Sequence, residues 1–254
     1  MDAIPGTFDK LSLLTPGFAE RAPLHDRSAS FPFENFQELS DAGLLALPVD
    51  KAYGGGGGGI REAAKVVGAV GQADAATALV LAMHYIHHLV IAAGGRWPVH
   101  LAEKVGRDAV KGLALINALR VEPDLGSPAR GGLPATTARR TPQGWRISGR
   151  KIYSTGAPIL AWMTVWAKTD DAETPGDAGP RVGLFLVPAK SAGIGIAETW
   201  DHLWSAPSMT GWPALHVTGS SNSCESARRR AWAHRSRHCR GCRRAWVASK
   251  PCCR

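Results

Sequence analysis

Val121-Glu122-Pro123-Asp124-Leu125-Gly126-Ser127 and, downstream, Trp145-Arg146-Ile147-Ser148-Gly149-Arg150-Lys151-Ile152-Tyr153-Ser154-Thr155 are the two stretches on which the fold turns. The first follows the apolar strand candidate Leu113–Ile116 with a Pro-Asp-x-Gly-Ser turn. Its backbone N–H groups and hydroxyl suit an anion or the polar edge of a ring. The second starts as a strand, Trp145 and Ile147 alternating with Arg146 and Ser148, and ends in an aromatic ring beside two hydroxyls. That ending suits stacking on a flat heterocycle and hydrogen bonding to its edge. Each stretch also reads as plain structure, a turn and a strand with a core aromatic.

Outward from these stretches the period of two persists. Trp162, Thr164 and Trp166 alternate with Met163 and Val165, and Val182–Val187 is a compact apolar run before Pro188. Turn clusters at Thr141-Pro142-Gln143-Gly144 and across Asp170–Pro180 separate them. Short connections without a helical pattern predict an antiparallel β-barrel or sandwich over residues 112–203. Toward the N-terminus the period becomes helical. Phe36, Leu39, Ala42 and Gly43 share a face in a segment ending at Pro48. Ile60, Ala63, Ala64, Val67 and Val70 mark an amphipathic helix, entered through six glycines, Gly54–Gly59, read as a very flexible turn. Asp74 is placed to cap an apolar helix over 75–93, and Pro98 opens another to about Val110. Residues 1–30, punctuated by Pro5, Pro16 and Pro23, read as an arm or short irregular helix. The fold class is therefore α+β: an all-α domain over 1–111, then a β-domain over 112–203.

Composition agrees with a folded chain and locates its charge. Of 254 residues, 44% are hydrophobic and 20% charged, which excludes wholesale disorder and fibrous architectures. The formal charge of +9 comes from the end of the chain: residues 204–254 hold 10 of the 30 Lys+Arg and one of the 21 Asp+Glu, leaving 20 of each before them. All five cysteines, Cys224, Cys239, Cys242, Cys252 and Cys253, lie in the same tail, so the body has no disulfide framework and fits a reducing, cytoplasmic setting. Ala75–Ala93 has no Asp, Glu, Lys or Arg, but it carries His84, His87 and His88 and many alanines, and reads as a buried core helix with no membrane partner.

Three further motifs read as structure. Gly54, Gly56 and Gly59 match G-x-G-x-x-G, yet no Lys-Ser/Thr ending or ribose-binding acid follows, so a turn is favoured over a phosphate loop. His84 and His88 share a helical face without a nearby carboxylate or thiol, which favours hydrogen-bonded histidines over a metal site. In the tail, Cys239-x-x-Cys242 with His234 or His238 offers zinc ligands, but Cys252-Cys253 is poor spacing for a second knuckle, and the arginines offer an RNA- or DNA-binding alternative. The Arg/Ser/Cys-rich text after about residue 203 fits GC-rich DNA translated out of frame. On that reading the tail is disordered.

Taken in order, the segments resemble the acyl-CoA dehydrogenase family. The likeness begins in Leu39, Ala42-Gly43-Leu44, Pro48 and Tyr53-Gly54-Gly55. It continues through Glu122-Pro123, Gly126-Ser127, Thr136, Ala138, Gly149, Lys151 and Thr155, over roughly residues 30–203. The resemblance implies an N-terminal helical domain, a middle β-domain, and a C-terminal four-helix bundle that this chain lacks, with FAD at their junction. It implies that Tyr153 stands for a tryptophan flanking the flavin, that Thr155 bonds near the flavin's redox nitrogen with Ser154 beside it, that Ser127 lies near the phosphates, and that Val121 offers backbone groups to the pyrimidine edge. Val121 replaces a threonine, Pro128 an aspartate and Gly156 an asparagine of the family pattern. The implied reaction is α,β-dehydrogenation of an acyl-CoA thioester in a homo-oligomer, impaired here by truncation, with the catalytic base unassigned. A flavin-dependent monooxygenase of the same fold is the alternative.

Overall fold

The computed structural model describes residues 6–94, 97–124, 132–142, 144–169 and 180–196, together with the backbone of short strands at 216–217, 219–221 and 226–227. Helix α1 spans Thr7–Ser28 with Pro16 and Pro23 inside it, where an arm or short irregular helix was expected. Each proline removes one backbone donor and ordinarily breaks a helix. Here tertiary packing overrides that preference: Leu11, Phe18 and His25, seven residues apart, form one buried seam, and α1 lies against α3 (Ile60–Ala73). Helix α2 (Phe33–Asp41) follows, with Phe36 and Leu39 in the core.

A buried polar knot joins these helices to α4 (Ala75–Ala92). Asn35 is fully buried; its Oδ1 accepts from Arg21 Nε and Nη2 at 3.0 and 2.8 Å, and its Nδ2 donates to Thr77 Oγ1 at 2.9 Å. Asp74 caps α4 as expected, accepting from the amides of Ala76 and Thr77. Among the described residues α4 is the helix long and apolar enough to cross a membrane, and it is packed in the molecule against α3 and β1 (Leu115–Leu119). Helix α5 (Val99–Lys111) completes the helical layer.

The glycine run is a turn, but not a flexible one. The amides of Gly55, Gly56, Gly57 and Gly58 donate to the carbonyls of Asp50, Ala46, Val49 and Leu47 at 2.8–3.1 Å, so the run is zipped onto residues 46–50 and its donors are not open to a phosphate. A Cβ on Gly55 would lie 2.3 Å from the Val49 carbonyl oxygen, closer than any side chain can sit.

The strands β2 (Thr137–Thr141), β3 (Gly144–Ser148), β4 (Leu160–Thr169) and β5 (Val182–Pro188) join β1 in a mixed sheet that is not closed. This corrects the antiparallel barrel or sandwich. β2–β3 and β4–β5 are antiparallel neighbours, but β1 and β2 both run parallel to β4. Local turn signals cannot show this, because the parallel partners are separated by long excursions. β4 is the centre: β5 covers one edge, while β1 takes Leu160–Val165 of the other and β2 takes Lys168–Thr169. The edge forks between them, at Trp166. After β6 (Ile194–Gly195), the short strands β7 (His216–Val217), β8 (Gly219–Ser221) and β9 (Ser226–Ala227) pair with β6, β3 and β5. They lie in the tail, where no period marks a strand; pairing at an edge uses backbone groups and requires no alternating side chains. Cys239, Cys242, His234 and His238 of the zinc reading and the tail arginines of the nucleic-acid reading fall outside the described residues.

His84 joins the two domains. Its Nε2–H donates to the Leu45 carbonyl at 3.0 Å, and its Nδ1 accepts from the Ile116 amide of β1 at 3.2 Å, which fixes one neutral tautomer and uses both ring nitrogens. That arrangement leaves His84 no lone pair for a metal. Burial lowers its pKa to about 4, and burial lowers those of His87 and His88 as well.

Two outcomes follow for stability. Between the unfolded value of 6.5 and about 4, the unfolded chain binds a proton that folded His84 refuses, so stability is full above pH 6.5 and falls as pH drops through that window. The loss from His84 alone is about 3 kcal/mol. Urea midpoints at pH 7 and pH 5 should therefore differ in the parent chain and differ less in His84→Gln. Second, Gly55→Ala should cost about 3 kcal/mol through the Val49 clash, whereas Gly68→Ala, exposed in α3 with open space around it, should gain about 1 kcal/mol; equal melting midpoints for the two variants would refute this packing.

Candidate functional site

The site grows from the point where the two motif stretches meet. The Ile152 amide donates to the Val121 carbonyl at 3.0 Å, forming an isolated antiparallel bridge. Val121, Tyr153, Ser154 and Thr155 are thereby brought together. Ser127, the other residue singled out from sequence, lies outside the described residues.

Directly after the bridge the chain turns sharply. Tyr153 has φ of 55°, a left-handed conformation that L side chains seldom adopt, and the residue is 46% exposed. Ser154 points the other way: the residue is fully buried, and its hydroxyl has no hydrogen-bond partner among the described residues. A buried hydroxyl without a partner is costly, and such orphans concentrate where a ligand or water completes the site. Thr155 is nearly buried, and its carbonyl accepts from Nδ2 of Asn117 on β1 at 2.9 Å. His88, one turn beyond His84 and edge-on to it at 4.6 Å between ring centres, carries the other buried orphan, at Nε2.

Beneath the turn lies a buried ion pair. Lys151 Nζ donates to Glu122 Oε1 at 2.7 Å, with side chains 1% and 3% exposed, and also to the Trp166 carbonyl at 2.6 Å. Glu122 further accepts from the Thr136 amide and hydroxyl and, through Oε2, from the Ala135 amide. Burial pushes the Glu122 pKa up, but these hydrogen bonds outweigh it and hold the carboxyl below its usual range. Burial pulls the Lys151 pKa down, and Glu122 partly offsets this. Gly149 belongs to the same cluster, since a Cβ there would lie 2.3 Å from Thr136 Oγ1.

Sequence reading found Glu122, Thr136, Gly149 and Lys151 as matches without a role, and it missed Asn117 as a partner of Thr155. The available signal was a glutamate and a lysine each placed at the edge of apolar strand text, Glu122 after Leu113–Leu119 and Lys151 before Ile152. Among the described residues no cluster of three His, Cys, Asp or Glu is arranged to hold a metal ion.

Comparison with known proteins places this geometry. The description "Acyl-CoA dehydrogenase, N-terminal domain" matches residues 15–96, and "Acyl-CoA dehydrogenase, middle domain" matches residues 120–212. YdbM of Bacillus subtilis (strain 168), which bears an acyl-CoA dehydrogenase name, is 31% identical over 212 residues, covering 84% of this chain and 51% of its own length. The chain thus spans about half of that relative. Among solved structures, KijD3 in complex with FMN and a dTDP-linked amino-keto sugar superposes with a TM-score of 0.74 at 26% identity, over 88% of this chain and 54% of that one. Dibenzothiophene monooxygenase TdsC from Paenibacillus sp. A11-2 shares the fold, with a TM-score of 0.70 over 87% of this chain and 53% of that one, at 19% identity. With both family domains present in order, and the motif residues of each meeting in three dimensions, this chain belongs to the acyl-CoA dehydrogenase family and carries its N-terminal and middle domains.

Proposed function

We propose that this chain forms the helical and β walls of a flavin-dependent oxidoreductase, with FAD as its flavin and an acyl-CoA thioester as its substrate. The observation that carries the reading is the turn after the Val121–Ile152 bridge, which sets a half-exposed aromatic ring, a buried orphan hydroxyl and Thr155 side by side. Such a turn fits a flat, polar-edged heterocycle: Tyr153 supplies a stacking face, while Ser154 and Thr155 supply groups for its edge. A bound flavin supplies two-electron redox chemistry. The chain's own part is to bind it, orient it and exclude water from one side.

Glu122 is not the base that would take a proton from substrate. Its carboxylate is buried and fully engaged, and its lowered pKa makes it a poor proton acceptor. The reading takes the base from the half of the relatives that this chain does not span. The absence of cysteine before Cys224 supports a reducing, cytoplasmic setting.

A second reading, a flavin-dependent monooxygenase, is supported by the likeness to KijD3 in complex with FMN and by the fold shared with the dibenzothiophene monooxygenase TdsC. Titration of the full chain with FAD and with FMN, followed by flavin fluorescence, should give saturable binding weaker than about 1 μM, and Tyr153→Ala should weaken it about tenfold. No saturation by either flavin would sink the reading. Bleaching of the bound flavin's visible band by an acyl-CoA without oxygen selects the dehydrogenase; oxygen consumption by the reduced flavin only with a non-thioester substrate selects the monooxygenase.

A further inference from the structure

We propose that the Glu122–Lys151 ion pair is the positioning element of the site: it holds the Tyr153–Thr155 turn in its left-handed conformation against Val121. The inference rests on the flavin reading only for what the turn contacts, not for the lock itself. Four features of the structure lead to it.

The pair stands in the fork of β4. β1 pairs with β4 as far as Val165 and β2 takes up the pairing only at Lys168, so the Trp166 carbonyl faces a gap that no strand fills. Lys151 Nζ fills it, and also lies 5.6 Å from the centre of the Trp166 ring. Each member of the pair is also next in sequence to a member of the bridge, Glu122 to Val121 and Lys151 to Ile152, so the ion pair and the bridge fix one register between the two stretches. The carboxylate is shared with the Ala135 and Thr136 amides, which ties the start of β2 to the same point. Finally, a buried ion pair seldom stabilises a fold more than apolar side chains of similar volume, and in some proteins its role is to specify one arrangement. Tyr153 needs such specification, since a non-glycine residue persists at positive φ only where its surroundings determine it. Lys151 and Glu122 touch no ligand in this scheme; they are positioning residues.

Amide hydrogen exchange on the full chain without flavin tests the lock directly. In Lys151→Met, the amides of Ile152 and Ala157, which close the bridge and the turn, should exchange at least about tenfold faster, while the β4–β5 ladder keeps its protection. Ile147→Val, a core change elsewhere in the sheet, should leave the turn protected. Should Lys151→Met lose the β4–β5 protection too, Glu122→Gln, which keeps the volume and an acceptor oxygen, is read in its place and should give a smaller acceleration confined to the turn. Unchanged exchange at Ile152 and Ala157 in the variant that keeps its ladder overturns the proposal. So does a loosened turn whose flavin affinity equals the parent's. A locked parent turn that loosens in the variant, in a chain that takes up no flavin, supports the lock and removes the flavin reading instead.

Discussion

The carbonyl of Trp166 has no strand to bond to, and the middle domain is organised around that vacancy. A central strand with one edge shared between two parallel neighbours must leave backbone groups where they part, and a buried, unpaired carbonyl is costly. Lys151 meets the need but brings a charge into the interior, which requires Glu122. Glu122 brings lone pairs, which require the Thr136 hydroxyl and the Ala135 and Thr136 amides. Thr136 in turn requires that residue 149 be glycine. One fork in a sheet thus accounts for six positions spread from 122 to 166, and it explains why residues with no direct chemistry belong to the motif.

The helical layer solves its own polar problem similarly and independently. Arg21, Asn35, Asp74 and Thr77 close on one another where three helices meet, satisfying the first turn of α4 from within the core. The joint between the domains is lighter: His84 bonds backbone on both sides, to Leu45 and to Ile116. A neutral imidazole is the side chain that donates at one end and accepts at the other across such a span. The cost is sensitivity to acid, because protonation removes the acceptor.

Against this rigid frame the candidate site holds what is unsatisfied. The Ser154 hydroxyl and His88 Nε2 are the buried side-chain atoms without a partner among the described residues, and Tyr153 holds a left-handed backbone. Strain and orphaned polarity standing beside a fully bonded ion pair fit a surface shaped for something else to complete.

The sequence by itself determined the order of helices then strands, the Asp74 cap, the strands around Ile147, Val165 and Phe185, and the family likeness that singled out Val121, Tyr153, Ser154 and Thr155. These are local properties, written as a period, a cap or a short motif within a few residues. Tertiary structure alone decided the rest. α1 runs through two prolines because its seam at Leu11, Phe18 and His25 is buried in the helical layer, where α1 packs against α3, which is distant in sequence. The sheet is mixed and open because β1 and β2 reach β4 from separate excursions, and no turn signal encodes a parallel partner dozens of residues away. The glycine run is taut because residues 46–50 supply its acceptors. Glu122 and Lys151 acquired their roles only when the fork brought them within 2.7 Å, since the value of a buried charge depends on what surrounds it in space rather than on its neighbours along the chain.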